Sequence, residues 1–435
     1  MMSFRRFILC VLVGLLLLLS VDSVIRPAIA NDESEYQTLE LFTDVLSIVR
    51  HSYVEEVDMT QLIYGAIRGM LATLDPHSSF MDPEMYQEMK DDTHGEFGGL
   101  GIEISMKDGL LTIVSPIEDT PAFKAGLKSG DQIVKIGDRA TKDMEIMEAV
   151  KMLRGPKGEP ITLLIWREGF ESPKAFTIVR DIIQLQSVKS HLLEDGFGYV
   201  RLSQFQARTG SDLKLHLAAL HRDNGAELKG LILDLRNNPG GLLDQAVAVS
   251  DLFLSEGLIV YTEGREEGSK LQFSAQKNGT EPDYPMVVLI NGGSASAAEI
   301  VAGALHDHDR AVILGEQSFG KGSVQTVIPL GDNSGLRLTT ARYFTPAGIS
   351  IQARGIIPDI VVAQLNLQQQ QDNQQLREKD LEHHFKPLKN NQPPAEGQKE
   401  THHLSDADAA DYQLMRALDL LKGAEILSRQ HKPAA

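Results

Sequence analysis

The segment Asn291-Gly292-Gly293-Ser294-Ala295-Ser296-Ala297-Ala298-Glu299-Ile300 sets two serines among small residues, directly after the apolar run Met286 to Ile290. A strand that ends in glycines and turns into a helix leaves unpaired N–H groups and the positive end of the helix dipole beside those hydroxyls. In such a setting a serine hydroxyl can attack a carbonyl while the resulting oxyanion is held. The same residues also serve a simpler purpose. Ser296-Ala297-Ala298-Glu299 has the capping-box spacing, with Ser capping the helix and Glu reaching back. On this segment alone capping is the stronger reading, and spacing does not choose between Ser294 and Ser296.

A nucleophilic serine needs a base within about 3 Å. His306 and His308 fail on distance, because a helix from Ser296 to Leu305 carries His306 roughly 15 Å along its axis. As a metal-binding pair they are outweighed by a polar helix end in solvent. Lys321, in Ser318-Phe319-Gly320-Lys321-Gly322-Ser323-Val324-Gln325, follows the strand pattern Ala311 to Gly315. If that strand lies beside the one ending at Asn291, Lys321 comes back over the helix start. Burial disfavours the ammonium and makes the amine a usable base; a surface lysine in a glycine loop is the competing reading. Gln325 lies about 13 Å from Lys321 along a strand but about 6 Å around one turn of helix. Only a turn-like path lets it hold the lysine. Finally, Asp234-Leu235-Arg236-Asn237-Asn238-Pro239-Gly240-Gly241-Leu242 ends another apolar run in two glycines, a candidate source of oxyanion-binding N–H groups. It matches neither the GxGxxG nor the Walker phosphate-binding pattern.

These segments need a scaffold. Over 182–363 strand-like runs alternate with helix patterns through glycine turns, which predicts an α/β layered core. Leu231 to Leu235 and Met286 to Ile290 are continuous apolar runs, as in strands buried on both faces. Gly331-Asp332-Asn333-Ser334-Gly335 reads as a hairpin turn. Residues 94–181 read as short strands with one amphipathic helix, Met144 to Leu153, a compact α+β module. Residues 36–92 read as helices, a cap or oligomerisation arm. Residues 364–405 are rich in Gln, Asn and Pro and read as a linker. A last helix over 406–428 places Leu414, Ala417, Leu418 and Leu421 on one face.

The first thirty residues have the layout of a cleaved secretory signal: Arg5 and Arg6, an apolar run from Phe7 to Leu19, and Ala28-Ile29-Ala30 before Asn31. The run is shorter than the ~20 residues a spanning helix needs, and no later segment could span a membrane. The single cysteine, Cys10, falls inside this signal, which excludes disulfides and Cys-cluster metal sites in the mature chain. A net charge of −18 argues against nucleic-acid binding, and 42% hydrophobic content excludes a wholly disordered chain.

Taken together, the chain resembles the carboxyl-terminal processing peptidases, serine proteases with a Ser–Lys dyad and an inserted PDZ domain. The resemblance runs from about Tyr36 to Val362. It rests on Leu74-Asp75-Pro76-His77-Ser78, Phe97-Gly98-Gly99-Leu100-Gly101-Ile102, the Leu235 to Gly241 turn, the Ser294 to Glu299 segment and Gly320 to Gln325. It implies a crotonase/ClpP-like α/β core with an inserted α+β PDZ domain and an N-terminal helical region. It further implies Ser296 as nucleophile, Lys321 as general base, Gln325 as the residue orienting the lysine, and Gly241 and Ala297 as oxyanion-hole donors, with Gly240 the open alternative. Gly99, Leu100, Gly101 and Ile102 correspond to the loop that binds a substrate's C-terminus. Arg167 is a candidate contact between the PDZ domain and the protease body. No metal or cofactor is implied. The expected setting is a bacterial periplasm, with a homo-oligomer and a tetratricopeptide-repeat lipoprotein adaptor as partners. The tail helix is the candidate docking element for either.

Overall fold

The computed structural model describes residues 36–365 and 404–430, apart from Asp108, Glu267 and Asn278. The signal over 1–30 and residues 366–403 of the linker lie outside the described residues. Two compact units divide the chain at Phe80. The first holds helices over 36–52 and Met59–Ala72, the latter capped by the Asp58 carboxylate. There the Asp75 side chain accepts from the His77 and Ser78 N–H groups and the Ser78 hydroxyl, which folds Leu74-Asp75-Pro76-His77-Ser78 into a turn.

In the second unit a six-stranded sheet runs in the order Val188–Leu192, Phe197–Leu202, Gly230–Asp234, Met286–Ile290, Val312–Gly315, Ile360–Val361. The first pair is antiparallel and the rest are parallel. Gly230–Asp234 and Met286–Ile290 are buried at every position, as their unbroken apolar runs require. Strand alternation divides their side chains between two cores. Leu231, Leu233, Val288 and Ile290 meet the helices Thr209–Asn224, Leu243–Asp251 and Ala297–Asp307. Ile232, Val287 and Leu289 meet Leu414, Ala417, Leu418 and Leu421 of the helix Tyr412–Gln430. A second sheet sets Ser323–Pro329, Gly335–Phe344, Leu258–Gly264 and Leu271–Ser274 side by side.

The tail expectation is therefore narrowed. The apolar face of the last helix forms a layer of the core, so that face is not open to an adaptor or a second copy. The sequence placed the stripe correctly but could not say what it covers.

Another sheet, from Ile102–Lys107 through Leu110–Pro116, Gln132–Ile136 and Pro160–Trp166 to Lys174–Val179, carries the helix Ile146–Leu153 over its own apolar core. Lys174–Val179 escaped the sequence reading because only Ile178 in it is buried. Arg167 lies at the end of this sheet's strand Pro160–Trp166. Its guanidinium is clamped on the buried Asp131 carboxylate and the Gly126 carbonyl, so these hydrogen bonds stay within the segment that forms this sheet. Among the described residues no helix is long and apolar enough to cross a membrane.

Because Leu418 is fully buried, Leu418→Ala should lower unfolding free energy by about 2–5 kcal/mol. Denaturant melts will measure it; an unchanged midpoint would show that the helix does not pack on the sheet.

Candidate active site

The two serines are separated by what their hydroxyls do. Ser294, fully buried, donates to the Leu235 carbonyl at 2.7 Å and accepts the Asn291 N–H at 3.0 Å. Its hydroxyl is spent holding two strand ends together. Ser296 is half-buried and sits at φ 56°, a left-handed conformation costly for a residue with a side chain. It lines a cavity of about 300 Å³ with Gly241, Ala297, Leu242, Val324 and Tyr343.

Two glycines bring the neighbouring turn against Ser296. Gly240 and Gly241 have φ of 102° and 142°. A Cβ on Gly240 would lie 2.7 Å from the Ser296 Cβ and 3.0 Å from the Ala297 nitrogen, and one on Gly241 would lie 2.1 Å from the Phe205 carbonyl oxygen. The buried Asn238 tethers this turn. Its carboxamide accepts the Gly240 N–H and donates to the Leu202 carbonyl, while its own carbonyl accepts the Ala295 N–H. The Gly240 N–H is thus committed. The Gly241 and Ala297 N–H groups donate to no acceptor among the described residues.

The Glu299 carboxylate, with no exposed surface, accepts the Ser296 N–H at 2.8 Å, which is the Glu half of the expected capping box. It also accepts the Lys321 N–H at 2.9 Å, the Gly320 N–H at 2.6 Å and the Ser318 hydroxyl at 2.6 Å. One side chain thereby fastens the lysine loop to the start of the serine's helix. These partners lie about twenty residues downstream, so spacing alone could not reveal them.

Burial, and then the charge of Arg337, push the Lys321 amine below its ordinary value, against an opposing pull from Glu299. The Lys321 carbonyl accepts the Tyr343 hydroxyl, a residue the sequence reading missed. Burial pushes that phenol up, so it remains a donor. Gln325 departs from expectation. It lies in the strand Ser323–Pro329, not on a turn, and its amide donates to the Ser323 carbonyl and hydroxyl, not toward Lys321. His306 lies near the far end of the helix Ala297–Asp307 and bonds Asp307 and Asp359; His308 bonds the Leu258 carbonyl. Among the described residues no group of three or more His, Cys, Asp or Glu side chains is arranged to hold a metal ion.

A separate groove of about 290 Å³ is lined by Gly99, Leu100, Gly101, Ile102, Met147 and Val150 among others. The Leu100 and Gly101 N–H groups donate to no acceptor among the described residues, and a Cβ on Gly101, at φ 76°, would strike Thr120 at 2.4 Å.

Residues 196–362 match the family model "Peptidase family S41", residues 112–167 match "PDZ domain", and residues 21–85 match "Activating protease CtpB N-terminal domain". The chain is 53% identical over 335 residues to a carboxy-terminal-processing protease of Bartonella bacilliformis, covering 77% of each chain. It is 35% identical over 343 residues to the carboxy-terminal processing protease CtpB of Bacillus subtilis, covering 78% of this chain and 71% of that one. Among solved structures it is similar to a photosystem II D1 C-terminal processing protease, at 31% identity and a TM-score of 0.44, covering 74% of this chain and 92% of that one.

In Glu299→Gln an N–H₂ replaces an oxygen that faces donors, so the lysine loop should detach. We expect a lower melting temperature, equivalent to more than about 2 kcal/mol, together with loss of peptidase activity. A variant with normal melting and turnover would show that the four hydrogen bonds do not hold the site.

Proposed function

This chain belongs to peptidase family S41 as a carboxy-terminal processing protease with a PDZ domain, and from that premise we propose that Ser296 is its nucleophile and Lys321 its general base. The observation that carries the reading is Glu299, whose carboxylate binds the backbone N–H of both residues. The neutral amine of Lys321 takes the Ser296 proton as Oγ attacks the scissile carbonyl. The oxyanion accepts from the Gly241 and Ala297 N–H groups, which have no other acceptor among the described residues. The lysine ammonium then protonates the leaving amine, and water releases the acyl group from Ser296 by the reverse relay. Gln325 lines the same cavity as Ser296, which supports a place for it in the site.

Substrates are recruited by their C-termini. The terminal carboxylate meets the Leu100 and Gly101 N–H groups, and the peptide adds to the edge strand Ile102–Lys107 beside the helix Ile146–Leu153. The Ile146, Met147 and Val150 side chains favour an apolar last residue. The parallel sheet with helices on both faces supports the crotonase/ClpP-like layering. The charged start and apolar run of the first thirty residues support export to the periplasm and a role in processing envelope proteins. The exposed Leu39, Phe42 and Val45 support self-association through the N-terminal helices.

Ser296→Ala should abolish degradation of an unfolded test protein, and Lys321→Ala should lower it by at least about 100-fold. Only the neutral amine accepts a proton, so kcat/KM should rise with pH through a midpoint below lysine's ordinary ~10.4. Undiminished cleavage by Ser296→Ala would sink the assignment. No cleavage by the unaltered chain would favour a peptide-binding scaffold. Amidating a peptide substrate's C-terminus should raise KM about tenfold or more, since charge-assisted hydrogen bonds are lost; equal KM values would exclude carboxylate recognition.

A further inference from the structure

Arg236 sits in the turn that presents Gly241, and its guanidinium is almost wholly buried. All five of its N–H donors are used. Nε and one Nη2 hydrogen bind the Asp234 carboxylate at 3.0 and 2.6 Å. The other Nη2 hydrogen and one from Nη1 bind the two oxygens of Asp411 at 2.7 and 3.0 Å, and Nη1 also reaches Gln413 Oε1 at 3.0 Å. Asp234 belongs to the strand below the turn. Asp411 and Gln413 come from the opposite end of the chain, at the start of the helix Tyr412–Gln430.

Both are fixed by the protein around them. Asp411 Oδ1 accepts the Leu414 N–H and so caps that helix, and Gln413 donates to the Val362 carbonyl at 2.7 Å. Burial alone would raise the Asp411 carboxyl, but Arg236 holds it below its usual range. From Arg236 the chain has only Asn237, Asn238 and Pro239 before Gly240. A guanidinium that lost Asp411 and Gln413 would keep its two bonds to Asp234 and be left with three unpaired donors, which costs free energy in a buried site. The turn would relax toward water, and the Gly241 N–H would move with it.

We propose that Asp411 and Gln413 are positioning residues for the oxyanion turn, so that docking of the C-terminal helix completes the catalytic site. This rests on the assignment of Ser296 and Gly241 above. The helix is then part of the catalytic apparatus as well as a layer of the core.

The test compares Asp411→Asn, Asp411→Glu, Ser296→Ala and Lys422→Ala in the full chain. Lys422 binds Glu194 and holds the same helix without touching Arg236, so it controls for docking alone. Two quantities are read: kcat and KM on a peptide substrate, with active sites counted by a serine-acylating phosphonate, and hydrogen exchange of the amides from Asn237 to Leu242. Loss of an oxyanion donor costs about 10²–10³ in kcat, so partial displacement should lower kcat about 10- to 100-fold in Asp411→Asn with KM little changed. Exchange in the turn should speed up, Asp411→Glu should recover part of the loss, and Lys422→Ala should resemble the unaltered enzyme.

The proposal is overturned if Asp411→Asn loses no more kcat per active site than Lys422→Ala, or if exchange at 237–242 is the same in both. Should Ser296→Ala retain activity, the nucleophile assignment fails separately, and the exchange comparison still decides whether Asp411 holds the turn.

Discussion

The Glu299 carboxylate, buried and surrounded by donors, sets the geometry on which the catalytic reading depends. Its oxygens accept from Ser296, Ser318, Gly320 and Lys321, two of them the residues assigned as nucleophile and base. A buried carboxylate is costly to desolvate and is tolerated only where donors surround it. That cost makes the arrangement specific, because displacing the lysine loop would strand the carboxylate. Capping the helix and joining the two residues assigned as nucleophile and base are therefore one interaction.

The rest of the site follows from close approach. Parallel pairing of Met286–Ile290 with Val312–Gly315 delivers the serine segment and the lysine loop to the same end of the sheet. Pairing with Gly230–Asp234 brings the glycine turn beside them. Gly240 and Gly241 then let backbone meet backbone at distances that a Cβ would forbid. The carboxylate, the sheet and the glycines each restrict a different freedom of the same few atoms.

Much of this was legible in the sequence because it is local. Unbroken apolar runs marked the central strands, the 3.6-residue stripe marked the last helix, and glycines marked the turns. The site's long-range contacts were not legible. Glu299 reaches Lys321 across 22 residues, and Arg236 reaches Asp411 across 175. No periodicity encodes such pairs, which exist only once the sheet has ordered its strands. The path from Lys321 to Gln325, which lines the Ser296 cavity, was open in the sequence for a related reason. The distance depends on whether that path is turn or strand, and pairing with Gly335–Phe344 made it strand.

The central claim is that one hydroxyl, activated by one amine, does the chemistry. Its most direct test is labelling the full chain with a serine-acylating phosphonate and locating the adduct by peptide mass spectrometry. The adduct should fall on Ser296 alone, form faster as pH rises toward the lowered Lys321 titration, and vanish in Lys321→Ala. An adduct on Ser294 or elsewhere, or labelling of Ser296 indifferent to loss of Lys321, would contradict it.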